Sequence, residues 1–280
     1  MDDALTLFQR IFRKHYALPM EHGSWIWWIG PLLLGLAVGG RPDVDALWLC
    51  LAALAGFLIR QPLTLIVKVQ SNRRARSDLP PALVWASFYG LLLVLAVVAL
   101  ILRGHGLLLW LAVPGAPILL RYWWLVGRRA ERRQQSLELL GSGVLALAAP
   151  AAYGVAGGVE VAVAWVLWVI SWSQSAASIM HIYLCLEQRA LKQVPGLQQR
   201  LRMGGRSLAY HGVCLLGSLA LAAAGMAPWL ATAAFLLVLL NALDGVLRPA
   251  IGVRPARIGL RQLTASVLFF ALVMLGYRLG

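Results

Sequence analysis

Long apolar stretches, each bounded by charges, proline or glycine, recur along the chain and set its organisation. Nine runs stand out, at about 19–38, 44–68, 80–102, 106–126, 136–156, 159–186, 207–225, 227–248 and 259–279. A helix needs about 20 apolar residues to cross the hydrocarbon core of a bilayer. Each run therefore predicts one spanning helix, and the chain an all-α, polytopic transmembrane bundle of about nine helices. Pro114, Gly115 and Pro117 interrupt the fourth run and Arg121 follows, which predicts a broken helix there. Residues 1–18 are charged and mixed, and the first run contains no small-residue cleavage site. The reading is a cytoplasmic N-terminal segment over 1–18 with no removable signal peptide, and a single transmembrane domain over 19–280. Gly35xxxGly39 and Gly154xxxGly158 have the spacing that lets helices approach closely, one that also arises often by chance in glycine-rich segments.

The distribution of Lys and Arg tests the topology independently of hydrophobicity, because cytoplasmic loops carry the excess. Counting by loop, 21 of the 25 fall on one side: the N-terminal segment and the loops between runs 2–3, 4–5, 6–7 and 8–9. Only Arg41, Arg103 and Arg278 lie opposite, and Arg60 is inside a run. The alternation predicts a cytoplasmic N-terminus and a C-terminus outside.

Composition agrees with this organisation. The chain is 60% hydrophobic and 13% charged, with a mean hydropathy of +0.75, against about a quarter charged in soluble domains. That excludes an ordinary soluble enzyme. The net charge of +14 follows from the topology and from attraction to anionic headgroups, so nucleic acid is not an expected partner and membrane lipid is. Cys50, Cys185 and Cys214 are far apart and form neither a disulfide framework nor a zinc motif.

Ionisable residues inside apolar runs are costly and mark candidate function. At the start of run 1, Glu21 and His22 precede Gly23-Ser24-Trp25. They could act as a base, a proton relay or metal ligands, or only as a helix start beside a tryptophan belt. In run 2, Arg60, Thr64 and Lys68 share a face at i, i+4 and i+8. Lys68 can snorkel, whereas Arg60 lies about 12 Å inside the cytoplasmic end at the helical rise and calls for an anionic partner. Run 6 carries Ser171, Gln174, Ser178, His181, Cys185 and Gln188 as one polar stripe, either a site or glue between helices. In run 8, Asn241, Asp244 and Arg248 share a face, and an internal Asp244–Arg248 pair is the simpler expectation. Arg121 with Tyr122, Trp123 and Trp124 reads as an interfacial anchor or a lining residue at the broken helix. With Glu187 and Arg189, all these ionisable groups fall in the cytoplasmic half, and no comparable set is expected on the outer half. A cationic cavity open to the cytoplasm fits an amphiphilic anion, a phosphate or carboxylate on an apolar body.

Glu21-His22-Gly23-Ser24-Trp25 with Pro31 and Gly35, Arg60-Gln61-Pro62-Leu63 with Lys68, and Arg254-Pro255-Ala256-Arg257-Ile258-Gly259 together resemble the YwiC-like bacterial membrane proteins. The resemblance implies a bacterial inner-membrane protein and carries no activity with it. A more distant likeness is to the UbiA-type intramembrane prenyltransferases, which implies nine helices with active-site motifs at the cytoplasmic ends of helices 2 and 6. Those enzymes hold Mg²⁺ with Asp-rich motifs, and hard cations need several oxygen ligands. The corresponding regions offer only Asp78 and Glu187 among arginines, which argues against magnesium-dependent prenyl transfer. Arginines would then contact an anion directly.

Three functions fit these observations. One is an intramembrane transferase or lipid-modifying protein in which Arg60, Lys68 and Arg189 clamp an anionic head and Glu21, His22 or His181 moves a proton. A second is a transporter of a small anion, hinged at the helix interruptions. A third is an assembly partner of a respiratory complex, with haem between His22 and His181 as an option. No cofactor, metal or oligomeric state is specified by a motif.

Overall fold

The computed structural model describes residues 11–19, 22–131 and 134–280, and among these every regular element is a helix. In chain order they are α1 (Lys14–Ala17), α2 (Ile26–Gly39), α3 (Val44–Gln70), α4 (Leu79–Leu102), α5 (Leu109–Ala112), α6 (Gly115–Gly127), α7 (Gln135–Ala146), α8 (Ala148–Val155), α9 (Val161–Gln188), α10 (Leu197–Ala223), α11 (Trp229–Leu247) and α12 (Pro255–Leu279). Single 3-10 turns at His22–Trp25, Arg76–Asp78 and Gly106–Leu108 precede α2, α4 and α5. Glu21, Arg10, Arg132 and Arg133 lie outside the described residues.

Seven helical stretches among the described residues are long and apolar enough to cross a membrane: Val44–Gln70, Arg76–Leu102, Gly106–Gly127, Gln135–Val155, Val161–Gln188, Trp229–Leu247 and Pro255–Leu279. The first run forms only 14 helical residues, Ile26–Gly39. The fourth breaks as its prolines predict, between α5 and α6 at Val113 and Pro114. The fifth also divides, at Leu147. The seventh begins at Leu197, ten residues before its apolar part. Apolarity marks only the portion that lipid covers; Leu197, Gln198, Gln199, Arg200 and Leu201 are good helix formers, and Pro195-Gly196 stops the preceding turn.

The chain divides into two compact units, residues 1–22 with 43–137, and residues 23–42 with 138–280. In the first, Asp43 caps α3 by accepting from the Asp45 amide at 2.8 Å. α3 and α4 form an antiparallel hairpin. At one end the residues Ile11–Ala17 are fastened to it: Gln61 Nε2 donates to the His15 carbonyl (2.9 Å), Trp85 Nε1 to that of Ile11 (2.7 Å) and Tyr89 Oη to that of Ala17 (3.2 Å). Tyr16 is buried with Leu65 and Ala82 and donates to Asp78 at 2.6 Å. At the other end Asp45 accepts from Arg103 and meets His105 Nε2 at 2.9 Å.

Arg73, in the α3–α4 connection, ties down the far end of α6 by donating to the Val126 carbonyl and, with both terminal nitrogens, to Glu131 at 3.2 and 2.8 Å. Partial burial pushes the Glu131 carboxyl up, but the Arg73 hydrogen bonds, a bond from its own backbone and the Lys68 charge outweigh it and hold the group below the ordinary glutamate range. A depressed folded-state value means stability that is complete above the unfolded pKa of about 4.3 and lost as the pH falls through the folded one. Glu131→Gln is therefore expected to lower the thermal midpoint at neutral pH, by a pair worth about 1 kcal/mol or less. Melting curves of both proteins between pH 7 and pH 3 should converge at the acid end; a constant difference would remove the ion pair as its cause.

In the second unit, α2 lies close against α8 at two glycines, with only backbone and alanine methyl groups facing them. A Cβ on Gly35 would run into the Ala149 carbonyl and come within 2.8 Å of Ala152 Cβ, and one on Gly39 would lie 2.6 Å from Ala156 Cβ and 2.7 Å from the Tyr153 carbonyl. Gly154 meets nothing within 4 Å, so of the two spacings only Gly35xxxGly39 is a helix contact. The core of this unit is built on Leu34, Leu167, Ile170, Phe235, Phe269 and Val273. Trp168 and Trp172 fix α9 to α7 by donating to the carbonyls of Gly143 and Leu139, each at 2.9 Å.

Candidate functional site

The polar stripe of α9 is real and faces inward: Ser171, Gln174, Ser178, His181, Cys185 and Gln188 are all buried within the second unit. Part of it is adhesive. Gln174 donates to Ser266 on α12 at 2.8 Å. Other atoms of the stripe have no partner among the described residues, namely Ser171 Oγ, Gln174 Oε1 and His181 Nδ1. His181 rests against Gly245 of α11, where a Cβ would collide with the imidazole, and its ring meets that of His211 on α10 edge to face, with centroids 6.2 Å apart.

Two turns beyond His181, at the end of α9, Gln188 serves as a cap for another helix. α11 ends at Leu247, and the amide that would pair with the Gly245 carbonyl belongs to residue 249, a proline without N–H. Gln188 Nε2 donates to that carbonyl at 3.1 Å, and its Oε1 accepts from the Ala250 amide at 3.2 Å. Arg200 caps the Leu247 carbonyl. Arg189 continues the clasp, donating from Nε to the Val253 carbonyl at 2.9 Å while its own carbonyl accepts from Gly252. Orphan carbonyls at a helix C-terminus are thus satisfied by the end of α9 and the start of α10, and the α11–α12 connection is held in place.

That connection forms a depression of about 470 Å³ lined by Ile251, Gly252, Val253, Arg254 and Arg257. Among the described residues no carboxylate pairs with Arg254 or Arg257. One turn beyond Arg257 on α12, Arg261 donates to Asp244 (2.7 Å) and to the Asn241 side chain (2.8 Å). The expected Asp244–Arg248 pair is present at 3.5 Å with Arg248 almost fully exposed, but Arg261 is the nearer partner. Glu187 and Arg189 have exposed side chains.

The remaining sequence candidates belong to the first unit or fall at its edge. Arg60 is half-buried on α3, its guanidinium 5.5 Å from the Phe57 ring and its carbonyl accepting from Thr64 at 2.7 Å. Lys68 is half-buried a further two turns along, and Arg121 on α6 is exposed. His22 opens a 3-10 turn, and Glu21 lies outside the described residues. Among the described residues no group of three His, Cys, Asp or Glu could hold a metal ion.

Several residues near the site are not among the candidates the sequence offers for it. His211 and Ser207 sit one turn apart on the polar face of α10, a spacing visible in the chain. Arg254, Arg257 and Arg261 follow at i, i+3 and i+7 and share a face of α12. Asp45, Arg103 and His105 form a charged cluster at the end of the α3–α4 hairpin away from Lys68, where no such set was expected. They come from two helix ends nearly 60 residues apart, and only the antiparallel pairing brings them together.

A search of known families matches residues 18–153 to the model described as YwiC-like protein. The matched stretch contains the Glu21–Trp25 and Arg60–Leu63 motifs and stops before Arg254–Gly259. No curated protein and no solved structure matches the chain. With seven span-length apolar helices and this family pattern, the chain is a multi-pass membrane protein.

Proposed function

We propose that this chain, YwiC-like over residues 18–153, is a bacterial inner-membrane protein that binds an anionic amphiphile at a cationic site open to the cytoplasm. The observation that carries the reading is the 470 Å³ depression with Arg254 and Arg257 on its wall. Two guanidinium groups without carboxylate partners among the described residues, beside an apolar wall of Ile251 and Val253, suit a phosphate or carboxylate head on a lipid-like tail. The excess of Lys and Arg in this and alternate connections supports a cytoplasmic position for it. Arg189 and Gln188 hold its backbone, and Asn241 and Asp244 accept from Arg261 on the same face of α12. Such a site serves an intramembrane transferase that lacks Asp-rich metal motifs.

The test is native mass spectrometry with lipid extraction of protein purified in mild detergent. An anionic amphiphile should be retained by the natural protein and lost from the Arg254→Ala/Arg257→Ala variant. Equal retention by both, or none by the natural protein, would overturn the reading.

A further inference from the structure

The interior of the second unit holds a cluster that the anion site does not use. His181 and His211 are 3% and 1% exposed, with ring centroids 6.2 Å apart at an interplanar angle of 83°. A neutral imidazole has one donor and one acceptor nitrogen. His211 Nδ1 lies 2.8 Å from the Ser207 carbonyl, so that nitrogen carries the hydrogen. His181 Nε2 lies 3.5 Å from Cys185 Sγ, and its Nδ1 has no partner among the described residues. Neither has the hydroxyl of Ser207, one turn before His211. A buried polar atom left unpaired costs about 1–3 kcal/mol, and native proteins carry few. Two of them in one histidine cluster point to a species that the protein itself does not supply, and since even a Cβ at Gly245 would collide with the His181 ring, that species is no larger than a proton.

The groups facing His181 are Cys185 on its own helix, His211 and Ser207 from α10, Gly245 with its neighbour Asp244 from α11, and Arg261 from α12, whose charge reaches the ring together with that of Asp244. Arg261 neutralises Asp244 through a 2.7 Å bond and stands one turn from Arg257 on the same face of α12.

We propose that His181 and His211 form a buried proton-binding site coupled to the arginine depression: one proton enters from the cytoplasm when an anion settles on Arg254 and Arg257. The inference rests on the anion-site reading above. An anion at Arg257 competes for Arg261, Asp244 loses part of its neutralising partner, and the uncompensated carboxylate favours an imidazolium beside it. The proton comes from bulk water and bonds to the free Nδ1 lone pair of His181, so the incoming negative and positive charges cancel. Coupling of this kind is reciprocal, and a protonated pair strengthens anion binding by the same factor.

Decanesulfonate, whose head stays ionised across the physiological range, is the probe. Calorimetric titration of the full chain in detergent, in two buffers of equal pH and different protonation enthalpy, measures protons taken up per probe bound. The natural protein should take up a proton, and its affinity should fall as the pH rises from 6 to 8, by up to about tenfold per unit. His181→Gln and His211→Gln should still bind the probe but without uptake and with a flat pH profile. The pH profile of the natural protein needs no variant, so a misfolded variant does not end the test. Binding without uptake and with no pH dependence, or equal uptake by both variants, would overturn the proton site alone. Binding that is absent, or unchanged in Arg254→Ala/Arg257→Ala, would overturn the anion site and this inference with it.

Discussion

Replacing Gly35 by alanine is expected to lower the thermal midpoint of the purified protein, although alanine is the better helix former by about 1 kcal/mol. Propensity favours the change; packing opposes it. The added methyl group would meet the Ala149 carbonyl and lie 2.8 Å from Ala152 Cβ, and neither is the far end of a flexible side chain. The two helices must separate, and overpacking of this kind costs about 1–3 kcal/mol. In a membrane, close contact between small residues is itself a large part of what holds helices together, so α2 loses more than local fit. Gly39→Ala meets a similar obstacle at Ala156 and the Tyr153 carbonyl, and the double variant should fall further than either. Gly154→Ala is the control, because that glycine is helical and its Cβ would meet nothing within 4 Å; it should leave the midpoint unchanged or raise it. If Gly35→Ala and Gly154→Ala melt alike, the close α2–α8 contact is absent from the protein in its membrane.

The contrast between these two glycine pairs shows where a sequence stops being informative. Both have the same spacing in apolar runs, but α8 ends at Val155, short of Gly158, and no neighbour approaches Gly154. Helix positions are legible because lipid demands long apolar runs, and the break at Pro114 is legible because proline lacks an amide. The start of α10 is not, since Arg200, Arg202 and Arg206 extend that helix beyond the apolar zone where hydropathy has nothing to report. The polar stripe of α9 could be read from its spacing alone. Its partners could not, because which helix lies against it depends on tertiary packing: Ser266 comes from α12, His211 from α10 and Gly245 from α11. For the same reason the spacing predicts the Asp244–Arg248 pair, which is present at 3.5 Å, but not the nearer partner Arg261, 17 residues on.

Gln188 carries the second large expected effect because its role joins stability to the candidate site. It is 1% exposed and satisfies two backbone groups at once, the Gly245 carbonyl left without a partner by Pro249 and the Ala250 amide beyond it. Gln188→Leu keeps the volume and removes both bonds. Each buried group left unpaired costs about 1–3 kcal/mol, so a loss of about 2 kcal/mol or more is expected, with a clear drop in thermal midpoint. The loss falls on the end of α11 and the connection that carries Arg254 and Arg257, and anion binding should weaken by at least about tenfold, since one such factor needs only about 1.4 kcal/mol of lost positioning. Arg189→Ala separates the two effects. Arg189 is exposed and holds the same connection at Val253, so its loss should spare most of the stability and still weaken decanesulfonate binding. Should Arg189→Ala and Gln188→Leu both bind the probe as the natural protein does, the clasp around Gly245 to Val253 would be a helix cap and nothing more.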